Sequence, residues 1–224
     1  MKQWLGHFLK RSHYYSFHRA ARFQRGVPDD RKIWSATALV HDKYHSVLAG
    51  VHRSFLDAGA DAITTNSYGV VPGVGFTADE ISKHVATAGR IARAVVDNFI
   101  KDHDDNNKPN KLVLGSMGPL LESYRPDKLM KDPDGIQMYG IIARALLSYV
   151  DMFIAETMSC VEEASQAIQV VGQLIAEEKN ERHCRAMIVS YTLDSHGLLR
   201  NGESASSAVT RTLDLCKFHQ VDRK

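Results

Sequence analysis

The places where this 224-residue sequence could do chemistry are those where a polar group follows directly on an apolar run. Four stand out: Thr64-Thr65-Asn66, Ser116-Met117-Gly118-Pro119, Glu156-Thr157 and Tyr191-Thr192. Glu156 is the sharpest, because a carboxylate straight after Phe153-Ile154-Ala155 is partly desolvated and needs a cation or a hydrogen-bond donor. A substrate ammonium group would serve, and so would a scaffold arginine. Thr and Asn in such places either meet a ligand or cap the next helix. The Ser116 segment is either a plain turn or a set of backbone N–H groups able to receive a carboxylate. Other candidates are scattered. His41, His45 and His52 flank an apolar helical stripe and read as surface histidines, while His84 and His196 have no partner at ligand spacing.

Alternating helical and strand-like patterns must position these groups. Tyr44, Val47, Leu48, Val51 and Phe55 recur at helical spacing, with a stop at Ala58-Gly59. Residues 60–66 read as a short strand. Thr77 and Glu80 have capping-box spacing before a helix lined by Ile81, Val85, Ala88, Ala92, Val95 and Phe99. Residues 101–110 form a polar loop, and 111–116 a strand apolar enough for burial on both faces. Ile136, Tyr139, Ala143, Leu146 and Val150 make a third helical stripe, followed by a strand at 152–155. Ser159 and Glu162 repeat the capping-box spacing before Ala164, Ala167, Ile168, Val171 and Ile175; a strand at 186–191 and a helix at 204–216 complete the pattern.

Strand then helix, four times, predicts a parallel sheet with helical crossovers. An open doubly wound sheet and an eight-stranded barrel both satisfy this. No Gly-rich phosphate fingerprint follows any strand, since the glycines of residues 70–76 have the wrong spacing. The barrel is favoured, because the polar groups fall at strand C-terminal ends, where a barrel collects its site.

Composition is ordinary for a globular protein, at 44% hydrophobic and 24% charged residues. No apolar run approaches the roughly 18 residues of a membrane span. Residues 1–28 carry six basic side chains (Lys2, Lys10, Arg11, Arg19, Arg22, Arg25) and no acid. The rest holds 22 basic residues against 26 acidic ones. The division is thus a basic arm or degenerate first element at 1–24 and one barrel domain at 25–224. A basic, acid-free start also fits an organelle transit peptide, so the compartment reads as cytoplasmic, or mitochondrial or plastid if that segment is a targeting signal. No basic stripe continues into the body, which argues against nucleic acid. Cys160, Cys184 and Cys216, odd in number and widely spaced, form no disulfide framework and favour a reducing compartment.

Several segments together resemble the homocysteine S-methyltransferase family, which includes S-methylmethionine-, betaine- and methylfolate-dependent enzymes. They are Gly26-Val27-Pro28 with Ile33-Trp34-Ser35, residues 58–61 running into Ile63-Thr64-Thr65-Asn66-Ser67-Tyr68, and Gly75-Phe76. Gly115-Ser116-Met117-Gly118-Pro119, Ala155-Glu156-Thr157-Met158 with Glu162-Glu163-Ala164, residues 189–192, residues 197–199 and Gly202-Glu203-Ser204 follow in order. The resemblance implies a (β/α)8 barrel of the homocysteine-binding type that transfers a methyl group from a small donor to the sulfur of homocysteine, giving methionine. It implies that Glu156 holds the substrate amino group, with Asn66, Ser116, Thr65 and Thr157 lining the pocket. It also implies a zinc ion, held by cysteine thiolates, that keeps the substrate sulfur ionised.

Two departures set the expectations for activity. The family's Asp-Gly-Gly opening motif is replaced by Tyr15-Ser16-Phe17-His18-Arg19. Its zinc cysteines, from strand six and from a Cys-Cys pair near strand eight, have no counterpart in these 224 residues. The three cysteines present fall on separate faces and read as ordinary thiols, too far apart to meet one metal at about 2.3 Å. Eight βα units need about 250 residues and four are legible here. The sequence therefore reads as an incomplete methyltransferase, or as an inactive relative whose open sheet edge is closed by another copy or a complementing chain. An aldolase-type barrel lyase would want a Schiff-base lysine, and no strand end carries one.

Overall fold

The computed structural model describes Val27, Ile33 and residues 36–102, 111–177, 186–219 and 221. Expectations for the basic arm, the opening motif, the polar loop beyond Asp102 and Cys184 lie outside the described residues.

A short helix α1 (Thr37–Val40) leads through a single 3-10 turn into α2 (His45–Asp57). Helix α2 buries Leu48, Val51, His52 and Leu56, and Gly59 ends the turn after it at φ +91°, where a side chain would be strained. Strand β1 (Ala62–Thr64) is followed by α3 (Ala78–Asp102). The capping box at Thr77 forms as expected: the Thr77 N–H donates to Glu80 Oε2 (2.9 Å) and the Glu80 N–H to Thr77 Oγ1 (3.3 Å). Behind it the predicted stripe from Ile81 to Phe99 is buried.

Strand β2 (Leu112–Met117), helix α4 (Asp134–Leu146), strand β3 (Met152–Met158), helix α5 (Val161–Glu177), strand β4 (Met187–Tyr191) and helix α6 (Ala205–Phe218) follow. Val150, assigned from spacing to the third helical stripe, lies past the end of α4, although it is buried as that stripe requires. The Ser204 hydroxyl caps α6, accepting from the Ser207 N–H at 3.2 Å.

The four strands pair in chain order, β1-β2-β3-β4, all parallel. A doubly wound sheet must reverse its strand order at a switch point; an unreversed order puts every right-handed crossover on one face. The helices accordingly pack in sequence, α2 on α3, α3 on α4, α4 on α5 and α5 on α6. This is an arc of a (β/α)8 barrel, with the helices outside.

The core lies between strands and helices, with Val113, Phe153, Leu146, Ile142, Val171 and Ile168 almost wholly buried. A polar clamp fixes the N-terminal ends of the strands. Arg93 of α3 donates to the Tyr149 carbonyl (2.9 Å) and to Asp151 Oδ2 (2.6 Å), and the same oxygen accepts the Val113 N–H (2.7 Å). Among the described residues no helix is long and apolar enough to cross a membrane.

Candidate active site

Because the strands are parallel and in order, the segments after β1, at the end of β2 and at the end of β3 meet at one end of the sheet. Thr65 continues the β1 ladder, its N–H donating to the Leu114 carbonyl (2.9 Å). Its hydroxyl oxygen accepts the Ser116 N–H (2.9 Å) and lies 2.8 Å from Ser67 Oγ, and Ser67 Oγ donates to the Ser116 carbonyl (2.8 Å). The single Ser67 proton is spent on that carbonyl, so Thr65 is the donor between the two hydroxyls. Thr65, Ser67 and Ser116 are all buried.

Ser116 presents its own hydroxyl to Glu156 Oε1 in a short hydrogen bond. Glu156 is 2% exposed, and its second oxygen, Oε2, has no hydrogen-bond partner among the described residues. Burial pushes this carboxyl up to about 8. Among the described residues Glu156 meets no scaffold arginine; its contact is the Ser116 hydroxyl. Asn66 is buried in the loop between Thr65 and Ser67.

Thr157 is placed differently from Glu156. It sits at φ +63°, a conformation that costs a β-branched residue energy, beside the irregularity in β3–β4 register between Ala155 and Met158. The Tyr68 hydroxyl lies 2.6 Å from Ser123 Oγ, and burial pushes it above its ordinary range. The Tyr68 ring lies against Gly118, where an added Cβ would come within 2.8 Å of Tyr68 Cδ2, so the turn after β2 needs glycine for the ring to pack. On β4's side, the N–H and hydroxyl of Thr192 both donate to the Met158 carbonyl (2.9 and 3.3 Å). Tyr191 turns outward to Thr212 of α6 at 2.6 Å.

Two expectations need correction. The second capping box does not close: helix α5 begins at Val161, and it is Glu163, not Glu162, whose Oε2 accepts the Ser159 N–H (3.0 Å), while the Ser159 hydroxyl has no partner among the described residues. Glu162 instead turns outward to Arg211 Nη2 at 2.6 Å. Sequence reasoning thus missed a second buried carboxyl at this end of the barrel, which burial raises to about 7. The adjacent pair Glu162-Glu163 before an apolar stripe held the signal, but only the helix start decides which of the two faces inward. His52 is the other correction. It is 1% exposed on the inner face of α2, and burial lowers its ring to about 3. The helix turns slightly further than the assumed stripe, bringing His52 and Leu56 inward. His41 is exposed, and His45 reaches the Leu39 carbonyl at 2.8 Å.

No group of three His, Cys, Asp or Glu side chains able to hold a metal occurs among the described residues. Cys160 is buried, and its thiol is pushed up to about 11. That is the reverse of what a thiolate ligand requires. Cys216 lies on α6, in the outer layer.

The family model for homocysteine S-methyltransferase matches residues 20–221. The chain belongs to that family. Comparison with curated proteins gave no significant match. Among solved structures it is similar to the homocysteine methyltransferase MmuM from Escherichia coli. The metallated form matches with TM-score 0.71 at 21% identity, over 88% of this chain and 67% of that one. The oxidized form matches with TM-score 0.65 at 19% identity, over 88% and 66%, and the apo form with 0.60 at 18%, over 82% and 62%. The chain thus spans about two thirds of the length of these relatives, and the likeness shows a shared fold. The barrel expected from the polar strand ends, and seen as an arc in the strand order, is the fold shared with these structures.

Proposed function

We propose that this chain is the homocysteine-binding part of a homocysteine S-methyltransferase, seating the substrate amino acid at the ends of β1, β2 and β3. The observation that carries the reading is the orphaned Oε2 of Glu156. A buried carboxyl with one oxygen on a serine hydroxyl and the other unmet is short of a donor and of positive charge. An α-ammonium group supplies both: its positive charge favours the ionised carboxyl, the Glu156 proton is released to solvent, and a buried ion pair forms. The turn at residues 116–119, the Asn66 loop and Thr157 line the remainder of the amino-acid pocket. The reaction this implies is methyl transfer from a small donor to the homocysteine thiol, giving methionine.

In the family that thiol is expected to be held by zinc as a thiolate. The described residues do not fit such a site: they offer no cluster of donors, and their most buried thiol is held protonated. No step is therefore assigned to a metal, and the part given to these residues is to bind and orient the amino acid. The same observation favours a second reading, a binding subunit without turnover of its own.

Calorimetric titration with L-homocysteine tests the first reading. Glu156→Gln, which removes the charge while keeping the shape, is expected to weaken binding about tenfold or more, since a hydrogen-bonded charge contact contributes about 1.5–3 kcal/mol. Equal binding by the variant would overturn the assignment. Zinc content and methionine formation by the purified protein separate a methyltransferase from a binding subunit.

A further inference from the structure

The ring of hydrogen bonds between β1 and β2 leaves one proton with a single destination. Within it, the Ser116 N–H goes to Thr65 Oγ1, the Thr65 hydroxyl to Ser67 Oγ, and the Ser67 hydroxyl to the Ser116 carbonyl. The ring thus grips Ser116 by both backbone groups. The Ser116 hydroxyl is not consumed by it and lies on Glu156 Oε1. All four side chains are buried, so water cannot substitute freely for any member.

We propose that Ser67 is a positioning residue of this site: by holding the Ser116 carbonyl, its hydroxyl fixes the end of β2 so that the Ser116 hydroxyl is delivered to the Glu156 carboxylate. The consequence for the amino-acid pocket rests on the reading of Glu156 as the amino-group acceptor. The effect on Glu156 itself does not. A hydroxyl donated to a carboxylate favours its ionised form, so Ser67, with no contact of its own to Glu156, sets how readily that carboxyl ionises. Other titratable groups on the surrounding elements are Tyr68 after β1, Tyr139 on α4, Cys160 and Glu163 around the start of α5, and Tyr191 on β4. Burial is what raises Glu156, and none of these groups adds to it.

The test is a carbon-13 titration of the Glu156 carboxyl by nuclear magnetic resonance, the signal being identified by its loss in Glu156→Gln. Ser116→Ala is expected to raise the midpoint by about one pH unit, the size of a lost hydrogen bond to a charge. Ser67→Ala is expected to raise it in the same direction, Ser67→Thr to leave it near the parent value, and the double variant to add little to Ser116→Ala. If Ser67→Ala does not fold, Thr65→Val breaks the same ring and should shift the midpoint likewise. A Ser67→Ala midpoint unchanged while Ser116→Ala moves, or shifts that add in the double variant, would overturn the positioning role. Homocysteine titrated into the same proteins should bind about tenfold more weakly to Ser67→Ala. If the parent protein does not bind homocysteine while the midpoints still move as stated, the amino-acid reading fails and the positioning role stands.

Discussion

At the scale of single residues, three buried titratable groups make the stability of this protein depend on pH in opposite senses. Glu156 and Glu163 are raised by burial to about 8 and about 7. The unfolded chain loses those protons first, from about 4.5 upward, so the carboxyls lower stability as pH rises through their folded values and no further above them. His52 is lowered to about 3. The unfolded chain gains its proton first, so His52 lowers stability as pH falls from about 6.5 towards 3. Each group contributes a slope of up to about 1.4 kcal/mol per pH unit within its window. Together they place maximum stability near pH 4.5, with a decline through pH 8. Denaturant midpoints measured from pH 3 to 8.5 should show this shape. Glu156→Gln should flatten the alkaline limb, and His52→Leu the limb below about pH 4.5.

At the scale of elements, two junctions decide whether the site is presented. The β3–α5 junction carries Glu156 and the strained Thr157, and it is fastened by Glu163 on the Ser159 N–H and by Thr192 on the Met158 carbonyl. Glu163→Ala leaves a buried N–H without its acceptor and is expected to cost about 1–3 kcal/mol near pH 5. Glu163→Gln keeps an acceptor oxygen and should cost less, with no penalty left at pH 8, where the native carboxyl must ionise. At the opposite end, Asp151 joins the Arg93 side chain to the Val113 N–H. Asp151→Ala should destabilise by a similar 1–3 kcal/mol while homocysteine binding per folded molecule stays unchanged, because the clamp lies at the other end of the strands. Chemical denaturation and calorimetry read the two effects separately.

At the scale of the whole molecule, burial is uneven across the sheet. Strands β2 and β3 are buried along nearly their whole length, whereas the residues of β4 are half-buried or exposed and β1 pairs over three residues. Amides of Val113, Ser116, Phe153 and Ala155 are therefore expected to exchange with solvent most slowly, and those of β4 to exchange faster through local opening. Hydrogen exchange followed by mass spectrometry checks this; uniform protection across the four strands would contradict it.

Much of this architecture was legible beforehand, and for a local reason. A period of 3.6 or a continuous apolar run is written in neighbouring residues, so α2 to α6 and all four strands fall where those patterns place them. The Thr77 capping box is equally local, spanning four residues. Glu156 was legible too, because a carboxylate closing an apolar run must enter the desolvated end of a buried strand. What spacing left open were the choices that depend on a few degrees of helix rotation or on a partner far along the chain. His52 against Phe55 for the deepest position, and Glu163 against Glu162 for the inward carboxyl, turn on where each helix starts and how it lies on the sheet. The ring of Thr65, Ser67 and Ser116 joins residues about fifty positions apart, and only the pairing of β1 with β2 brings them together. Local periodicity and the cost of burying charge thus specify the elements, a parallel sheet and the carboxylate that closes its third strand. Tertiary structure alone decided what that carboxylate touches, because hydrogen bonds between strands depend on register, and register is a property of the folded sheet.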